Sequence, residues 1–167
     1  MSNNRIILLI VLTALLFAGC ARGISGDSLR QVDEEVAFSR LHDAPQQFVG
    51  KTVLLGGRII ELENYGHQTE FTVLQHDLGL GKRPKPASPG TGRFLVTTNH
   101  FLDPEIYSPG RWVTVLGLVT GEEIRPVQER FIAYPVLAAM EIHLWSVRET
   151  AQPRTGLYFG LGFGFGL

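Results

Sequence analysis

Cys20 is the only cysteine of the chain, and its thiol is the group whose chemical role the sequence indicates most clearly. It follows two small residues, Ala18 and Gly19, at the end of an apolar run from Ile6 to Phe17. A short apolar run with small residues before a cut site is typical of a secretory signal, and it is too short to span a bilayer. An exported chain with one cysteine forms no internal disulfide, so the thiol is available for another modification, and acylation fits this position.

The stretch 16–20 (LFAGC) resembles the lipobox of bacterial lipoprotein precursors. In those precursors the thiol is diacylated, the signal is cut before the cysteine, and the new amine is usually acylated. Phe17 departs from the pattern, because Leu is usual there. The resemblance implies that residues 1–19 are a signal peptide and that Cys20 is lipidated, while Ala21 in place of Asp implies sorting to the outer membrane. The alternative is a lone buried cysteine in an uncleaved membrane anchor.

Metal binding would depend on five histidines, His42, His67, His76, His100 and His143. They are scattered along the chain, whereas zinc ligands are grouped at short spacings. A structural role is therefore favoured for each, and we predict no metal.

A second cluster, Thr97, Thr98, His100 and Asp103, combines hydroxyl, imidazole and carboxylate groups. It permits the hypothesis of an enzyme that processes envelope glycans or lipids in a cleft near His100 and Asp103. The favoured interpretation is structural, because Asp103 before Pro104 has the pattern of a helix N-cap with proline at the first helical position. The chain also lacks a G-x-S-x-G motif, so we predict no catalytic residue, no cofactor and no enzymatic activity.

Charge argues against nucleic acid as a partner. The chain has a net charge of −1, and removal of Arg5 with the signal makes the remainder more negative, so a positive groove is not expected. The basic stretch 82–85 is interpreted as a solvated loop, with contact to lipopolysaccharide phosphates or peptidoglycan as the alternative. Some strand aromatics are candidates for a stacking platform, although most are expected inside a small barrel: Tyr65, Phe71, Phe94, Trp112 and Trp145.

The elements that would position these groups are mainly β-strands. Residues 20–34 are predicted to form a lipidated tether. Residues 36–48 are predicted to form a short helix that buries Val36, Leu41 and Phe48 and whose length is limited by Pro45. Alternation and glycine bends predict five main strands at 52–62, 69–75, 93–98, 112–119 and 135–147. The connections are predicted as a turn at 64–67, loops at 76–92 and 121–130, a helical turn at 101–107 and a short strand at 131–134.

Glycines inside two of these strands predict sharp curvature. Gly56 and Gly57 interrupt the first strand, and Gly117 interrupts the fourth. Five curved strands with a helical piece between the third and fourth match the oligonucleotide/oligosaccharide-binding (OB) barrel, so residues 35–148 are predicted to form an OB-like domain. A small β-sandwich is the alternative.

Residues 149–167 form a tail rich in glycine and aromatic residues. Leu161, Phe163, Phe165 and Leu167 alternate with glycines, so a strand there would be apolar on one face. The tail is interpreted either as a frayed end or as a segment that contacts a membrane or a partner.

The most specific motifs of the domain are Phe101-Leu102-Asp103-Pro104 with Tyr107 and Gly110-Arg111, the pair Tyr134-Pro135, and His143-Leu144-Trp145. They resemble the Slp family of starvation-inducible outer-membrane lipoproteins of Gram-negative bacteria, and the similarity covers residues 20–148. The resemblance implies an association with starvation, stationary phase or acid stress in some members. It implies neither known catalytic residues nor an established ligand.

The sequence therefore predicts a lipoprotein held in the outer membrane by acyl chains on Cys20, with its domain facing the periplasm. Its predicted role is that of a non-enzymatic structural or binding module related to stress or starvation. The candidate partners are the membrane itself, an envelope protein, and lipopolysaccharide or peptidoglycan.

Overall fold

The structure is a computed structural model that describes residues 23–146. The predicted signal peptide, Cys20 and the tail beyond residue 148 lie outside the described residues. The helices are α1 (Gly26–Leu29), α2 (Phe38–Asp43) and two 3₁₀ turns at Pro45–Phe48 and Leu80–Lys82. The strands are β1 (Thr52–Tyr65), β2 (Gln68–Gln75), β3 (Arg93–Thr98), β4 (Trp112–Val127) and β5 (Arg130–Leu144).

The five strands form one closed barrel in the order β1-β2-β3-β5-β4, with β4 pairing back to β1. All neighbours are antiparallel except β3 and β5, which run parallel. A five-stranded barrel of this kind is the OB architecture, so the OB-like prediction is confirmed. The sandwich alternative is wrong, because the sheet closes on itself instead of dividing into two packed sheets.

The barrel interior is filled by alternate side chains of all five strands. Phe71 and Phe94 are fully buried there, and each contributes about 1.5–3 kcal/mol through burial. Leu41 of α2 and Phe48 belong to the same cluster, and Val36 packs against it, so the predicted buried face of the 36–48 helix is confirmed. That helix is interrupted at Ala44, before Pro45 begins the 3₁₀ turn.

Close backbone approaches at two of the predicted bends allow the sheet to curve. A β-carbon at Gly57 would lie 1.9 Å from the carbonyl oxygen of Leu74, and one at Gly117 would lie 2.9 Å from that of Ala138. Register shifts follow nearby, between Ile59 and Glu61 in β1 and at Gly117 itself in β4. Glycine is required at Gly57 because a neighbouring backbone occupies the space of a side chain.

The predicted loop at 121–130 and separate strand at 131–134 are wrong. β4 continues to Val127 and β5 begins at Arg130, so the two strands form one long hairpin. Its turn places Gln128 in the left-handed region, at φ 54°. From Gly121 onward β4 pairs only with β5, so Pro126 lies on a strand with one free edge, where proline is tolerated.

The segment 101–107 forms a single helical turn, as the sequence predicted. The backbone N–H groups of Ile106 and Tyr107 both donate to the carbonyl oxygen of Asp103, at 3.0 and 2.9 Å. Gly110 follows soon after with φ 92°, so the helical geometry does not continue. Two strand ends also differ from the prediction. β1 continues to Tyr65 instead of ending at residue 62, and β5 ends at Leu144 instead of residue 147.

Candidate functional site

The N-terminal segment is bound to the barrel at two points. Ser25 donates to the Glu141 carboxylate from its backbone N–H (2.9 Å) and from its hydroxyl (3.1 Å). Further along, the Asp33 carboxylate accepts from the N–H of Thr52 (2.9 Å) and lies 3.0 Å from Lys51 Nζ. The segment therefore passes from β5 to β1.

Between these two points the segment crosses β4. Leu116 is the register partner of Glu141 on β5 and of Leu54 on β1. Directly opposed residues of antiparallel strands share a face, so Leu116 points to the side on which Ser25 is bound. Its side chain is fully buried although it is not part of the barrel core, which indicates that the N-terminal segment covers this outer face. Residues 25–33 are therefore fixed to the barrel.

Hydrogen bonds favour the ionised form of both carboxylates. Burial raises the pKa of Glu141, but the hydrogen bonds from Ser28 and Ser25 outweigh it and hold that pKa below the ordinary value of 4.5. The N–H of Thr52 and the ammonium of Lys51 lower the pKa of Asp33 from 3.8. Protonation of either carboxylate therefore weakens the docking of the segment.

We expect the segment 25–33 to lose its protection against hydrogen exchange in acid. Because both folded pKa values are lowered, the stabilisation is complete above the unfolded values of 3.8 and 4.5 and is lost as the pH falls through the lower folded values. Near neutral pH, Glu141→Gln should raise exchange in this segment roughly fivefold, the effect of about 1 kcal/mol. The exposed Glu34→Gln serves as the control, and equal exchange in the two variants would rule out this role for Glu141.

A cleft of about 150 Å³ lies between the turn after β3 and the middle of β5. Its walls include Thr98, His100, Tyr107, Met140 and Glu141. The cleft of the hypothetical enzyme was predicted in this region, near His100 and Asp103. His100 lines the observed cleft, but Asp103 does not.

The hydroxyl, imidazole and carboxylate groups of that cluster have separate partners. The Asp103 carboxylate accepts from the N–H of Glu105 at 2.9 Å, so it caps the turn as the structural interpretation predicted. The exposed His100 ring has its Nδ1 3.3 Å from the hydroxyl of Thr98. The Thr97 hydroxyl lies 3.4 Å from a backbone carbonyl of β5. This geometry supports the turn and does not form a relay from base to nucleophile.

A second cleft, of about 380 Å³, lies between the start of β3 and the β4–β5 hairpin. Arg93 and His42 line it together with Thr91, Ile132 and Tyr134. Arg93 Nη1 donates to the Tyr134 hydroxyl at 3.3 Å, which fixes the guanidinium against the hairpin. The cleft presents hydrogen-bond donors beside apolar side chains, the combination that a small polar ligand uses.

An ion-pair cluster attaches the β4–β5 hairpin to the outer face of β1 and β2. Arg125 binds the Glu70 carboxylate, donates to Glu123 at 2.9 Å, and lies 3.8 Å from Glu61. Burial lowers the pKa of Arg125, but the bonds to Glu123 and Glu70 outweigh it and raise that pKa further, so the guanidinium stays charged. The hairpin is therefore held down by charge-assisted hydrogen bonds.

The hairpin covers the face on which OB domains usually bind oligonucleotides or oligosaccharides, the outer side of β2 and β3. Thr72 and Leu95 are register partners on that side, and both are buried. Glu70 lies two positions before Thr72, so the two side chains share the face that Arg125 reaches. The chain itself thus occupies this face.

Replacing Arg125 is expected to destabilise the domain by about 1–3 kcal/mol, because Glu70, only 17% exposed, would lose its cation. Urea unfolding of Arg125→Met measures the effect, and Arg130→Met at the exposed hairpin tip is the control. The double variant with Glu70→Gln should recover part of the loss. A midpoint for Arg125→Met equal to that of Arg130→Met would mean that the cluster does not stabilise the hairpin.

The basic stretch 82–85 lies in a loop that packs on β4. The hydroxyl of Thr114 donates to the carbonyl oxygen of Lys82 at 2.8 Å, and the Arg83 guanidinium lies 5.0 Å from the ring centre of Trp145. Lys82 and Lys85 are exposed, as a solvated loop predicts, whereas Arg83 is partly covered.

Two of the histidines, His76 and His143, pack against tryptophan side chains. The buried His76 has Nδ1 2.8 Å from the carbonyl oxygen of Ser88 and packs edge-on against Trp112. His143 packs in the same way on Trp145, with ring centres 4.3 Å apart. Within residues 23–146, no group of three or more His, Cys, Asp or Glu side chains is arranged to hold a metal ion.

The aromatic candidates do not line up as one stacking surface. Phe71 and Phe94 lie in the core, Trp145 is buried on the outer face, and Trp112 is half-buried beneath His76. Tyr65 is exposed at the end of β1. Only Phe71 and Phe94 belong to the barrel core, so the expectation that most of the five would lie inside the barrel is wrong.

Sequence reasoning missed three residues that position the N-terminal segment and the hairpin: Ser25, Glu141 and Arg125. Ser25 has the local signature of a helix N-cap, which would have indicated α1. Neither its bond to Glu141, 116 positions away, nor the bond of Arg125 to Glu70 leaves any local signal in the sequence.

In the described part of the chain, no helix has both the length and the apolar character needed to cross a membrane.

Comparisons with known proteins point to one family. The model of the outer membrane lipoprotein Slp family matches residues 17–162. The chain is 28% identical over 161 residues to outer membrane protein Slp of Escherichia coli, covering 92% of this chain and 82% of that protein. It is 33% identical over 111 residues, or 65% of this chain, to the uncharacterized lipoprotein YeaY of the same organism. The match spans only 55% of YeaY, about half of its length.

Among solved structures, a small single-stranded DNA-binding protein from Streptomyces coelicolor is similar at 14% identity and a TM-score of 0.39. The match covers 58% of this chain and 95% of that protein. The family match extends over most of the sequence, from before Cys20 to beyond the barrel, and the chain belongs to the outer membrane lipoprotein Slp family.

Proposed function

We propose that Cys20 is acylated and holds the barrel at the periplasmic side of the outer membrane, as a non-enzymatic module that binds or reinforces envelope components. The observation that supports it most is the docking of Ser25 on Glu141. This contact joins the segment that begins at the cysteine directly to the folded domain.

The length of chain before that contact is short. Ser25 lies five positions after Cys20, and an extended chain gains at most about 3.6 Å per position, so the two are at most about 18 Å apart. Two or three acyl chains would anchor the cysteine almost permanently. The barrel would then work close to the membrane surface and not at the end of a long linker.

The proposal that the module is non-enzymatic is supported by the hydrogen bonds of the two side chains that could otherwise act in catalysis, Asp103 and His100. The Asp103 carboxylate caps its own turn, and His100 is paired with Thr98. The face that OB domains use for ligands is occupied by the hairpin that carries Arg125. Among residues 23–146, no specific contact favours the alternative of a glycan- or lipid-processing enzyme.

Separation of the two membranes, followed by protease treatment of intact and permeabilised cells, tests the location. We expect the protein in the outer-membrane fraction, resistant to protease in intact cells and cleaved once the outer membrane is permeabilised. The exposed Arg130 at the hairpin tip offers a site for trypsin. Cleavage in intact cells would contradict the periplasmic orientation, and recovery in the inner-membrane fraction would contradict the sorting implied by Ala21.

A further inference from the structure

Three exposed apolar side chains adjoin the smaller cleft. Phe101 is 62% exposed, Ile106 50% and Met140 51%. Met140 lines the cleft, and Phe101 and Ile106 are chain neighbours of its lining residues His100 and Tyr107. We call Phe101, Ile106 and Met140 the apolar patch. Exposed large apolar side chains beside a cleft of a small domain are typical of a site of contact.

The patch lies where the N-terminal segment reaches the barrel. Glu141 is both a wall of the cleft and the acceptor of the two hydrogen bonds from Ser25. Ser25 lies only five positions after Cys20, so any membrane that holds the cysteine passes within about 18 Å of Ser25, which is bound to this wall.

We propose that the apolar patch contacts the phospholipid surface of the membrane in which Cys20 is anchored. The inference rests on the proposed acylation of Cys20 and adds an orientation: the turn 101–107 faces the lipid, and the tip of the β4–β5 hairpin faces away from it. The short chain before Ser25 argues for lipid as the occupant, because it holds the patch beside the membrane. Aromatic and aliphatic side chains such as Phe101 favour the bilayer interface.

The charges around the patch indicate how it would bind. Asp103 and Glu105 are exposed on the same turn, and Glu141 lines the cleft. The nearby Arg111 is engaged with the carbonyl oxygens of Ile106 and Trp145, at 2.9 and 3.2 Å. Contact would therefore depend on apolar insertion and not on attraction to anionic headgroups.

Fluorescence quenching in vesicles tests the orientation. Full-length lipidated protein carrying Ile106→Trp is reconstituted in phosphatidylcholine vesicles with brominated acyl chains, and Phe131→Trp is the matched control. Phe131 is 79% exposed and lies near the hairpin turn, ten positions before Glu141 on β5. Both variants keep Trp112 and Trp145, so the unsubstituted protein gives the common background.

We expect the added tryptophan at position 106 to shift to the blue and to lose emission in brominated vesicles, with no loss at position 131. Added phosphatidylglycerol should not increase the quenching. Equal quenching of the two variants, or none at position 106, would overturn the proposal. A blue shift at position 106 that needs no lipid and rises with protein concentration would also overturn it, because it would indicate a second copy as the occupant.

Mass spectrometry of the same samples separates this inference from the proposed function. If Cys20 carries acyl chains and position 106 is not quenched, the orientation is wrong while the anchor stands. If Cys20 is unmodified, the anchor itself is wrong.

Discussion

Gly57→Ala is expected to destabilise the barrel by more than about 3 kcal/mol, a large part of the stability of a small domain. The added β-carbon would lie 1.9 Å from the carbonyl oxygen of Leu74 and 2.8 Å from its carbonyl carbon. Both atoms belong to backbone, and Leu74 pairs with Arg58 while Gln75 pairs with Gly57. Relief of the clash would therefore require β1 and β2 to separate where the sheet bends.

Urea unfolding followed by circular dichroism measures the effect. Gly26→Ala is the matched control, because Gly26 is the first residue of α1 and a β-carbon there would meet no atom within 4 Å. The control should stay within about 0.5 kcal/mol of the parent protein. If Gly57→Ala unfolds at the same urea concentration as the control, the close approach of β1 to Leu74 is not what lets the barrel close.

Cys20→Ser is expected to remove the protein almost completely from the outer-membrane fraction. Serine offers no thiol for acylation, and each acyl chain contributes on the order of 10 kcal/mol to membrane attachment, at about 0.8 kcal/mol per CH₂. No described helix replaces that anchor by crossing the membrane. The apolar patch and the tail 149–167 would remain, but neither matches the attachment that two or three acyl chains provide.

Fractionation with immunoblotting compares this variant with Ser25→Ala. The control loses the hydroxyl hydrogen bond to Glu141 but keeps the backbone one and the cysteine, so we expect it to stay with the outer membrane. Full retention of Cys20→Ser in the outer membrane would contradict the anchor. Deletion of residues 155–167 from the Cys20→Ser protein would then show whether the tail holds it there.

The sequence predicted the barrel because its signals are local. Alternating apolar residues marked the strands, and Gly57 and Gly117 marked positions where neighbouring backbones approach. The hairpin after Gly121 was missed because Pro126 and nearby charges are typical of loops. Proline is compatible with the strand there only because β4 has no partner other than β5, which is a property of the assembled sheet.

The contacts that hold the N-terminal segment and the hairpin to the barrel could not be predicted in the same way. Ser25 and Glu141 lie 116 positions apart, and Arg125 and Glu70 lie 55 apart. Polar residues of this kind look like ordinary surface until the barrel brings them together. The residues before β1 therefore looked like a free tether, although Ser25 and Asp33 are bound to the sheet.

The central claim is that Cys20 is the lipidated N-terminus of the mature protein, and mass spectrometry of its N-terminal peptide tests that claim most directly. Trypsin cleaves after Arg22, so the expected peptide is 20–22. We predict a peptide that begins at Cys20 and carries the mass of two or three acyl chains. A free Cys20 thiol, or a mature chain that retains residues 1–19, would contradict the account.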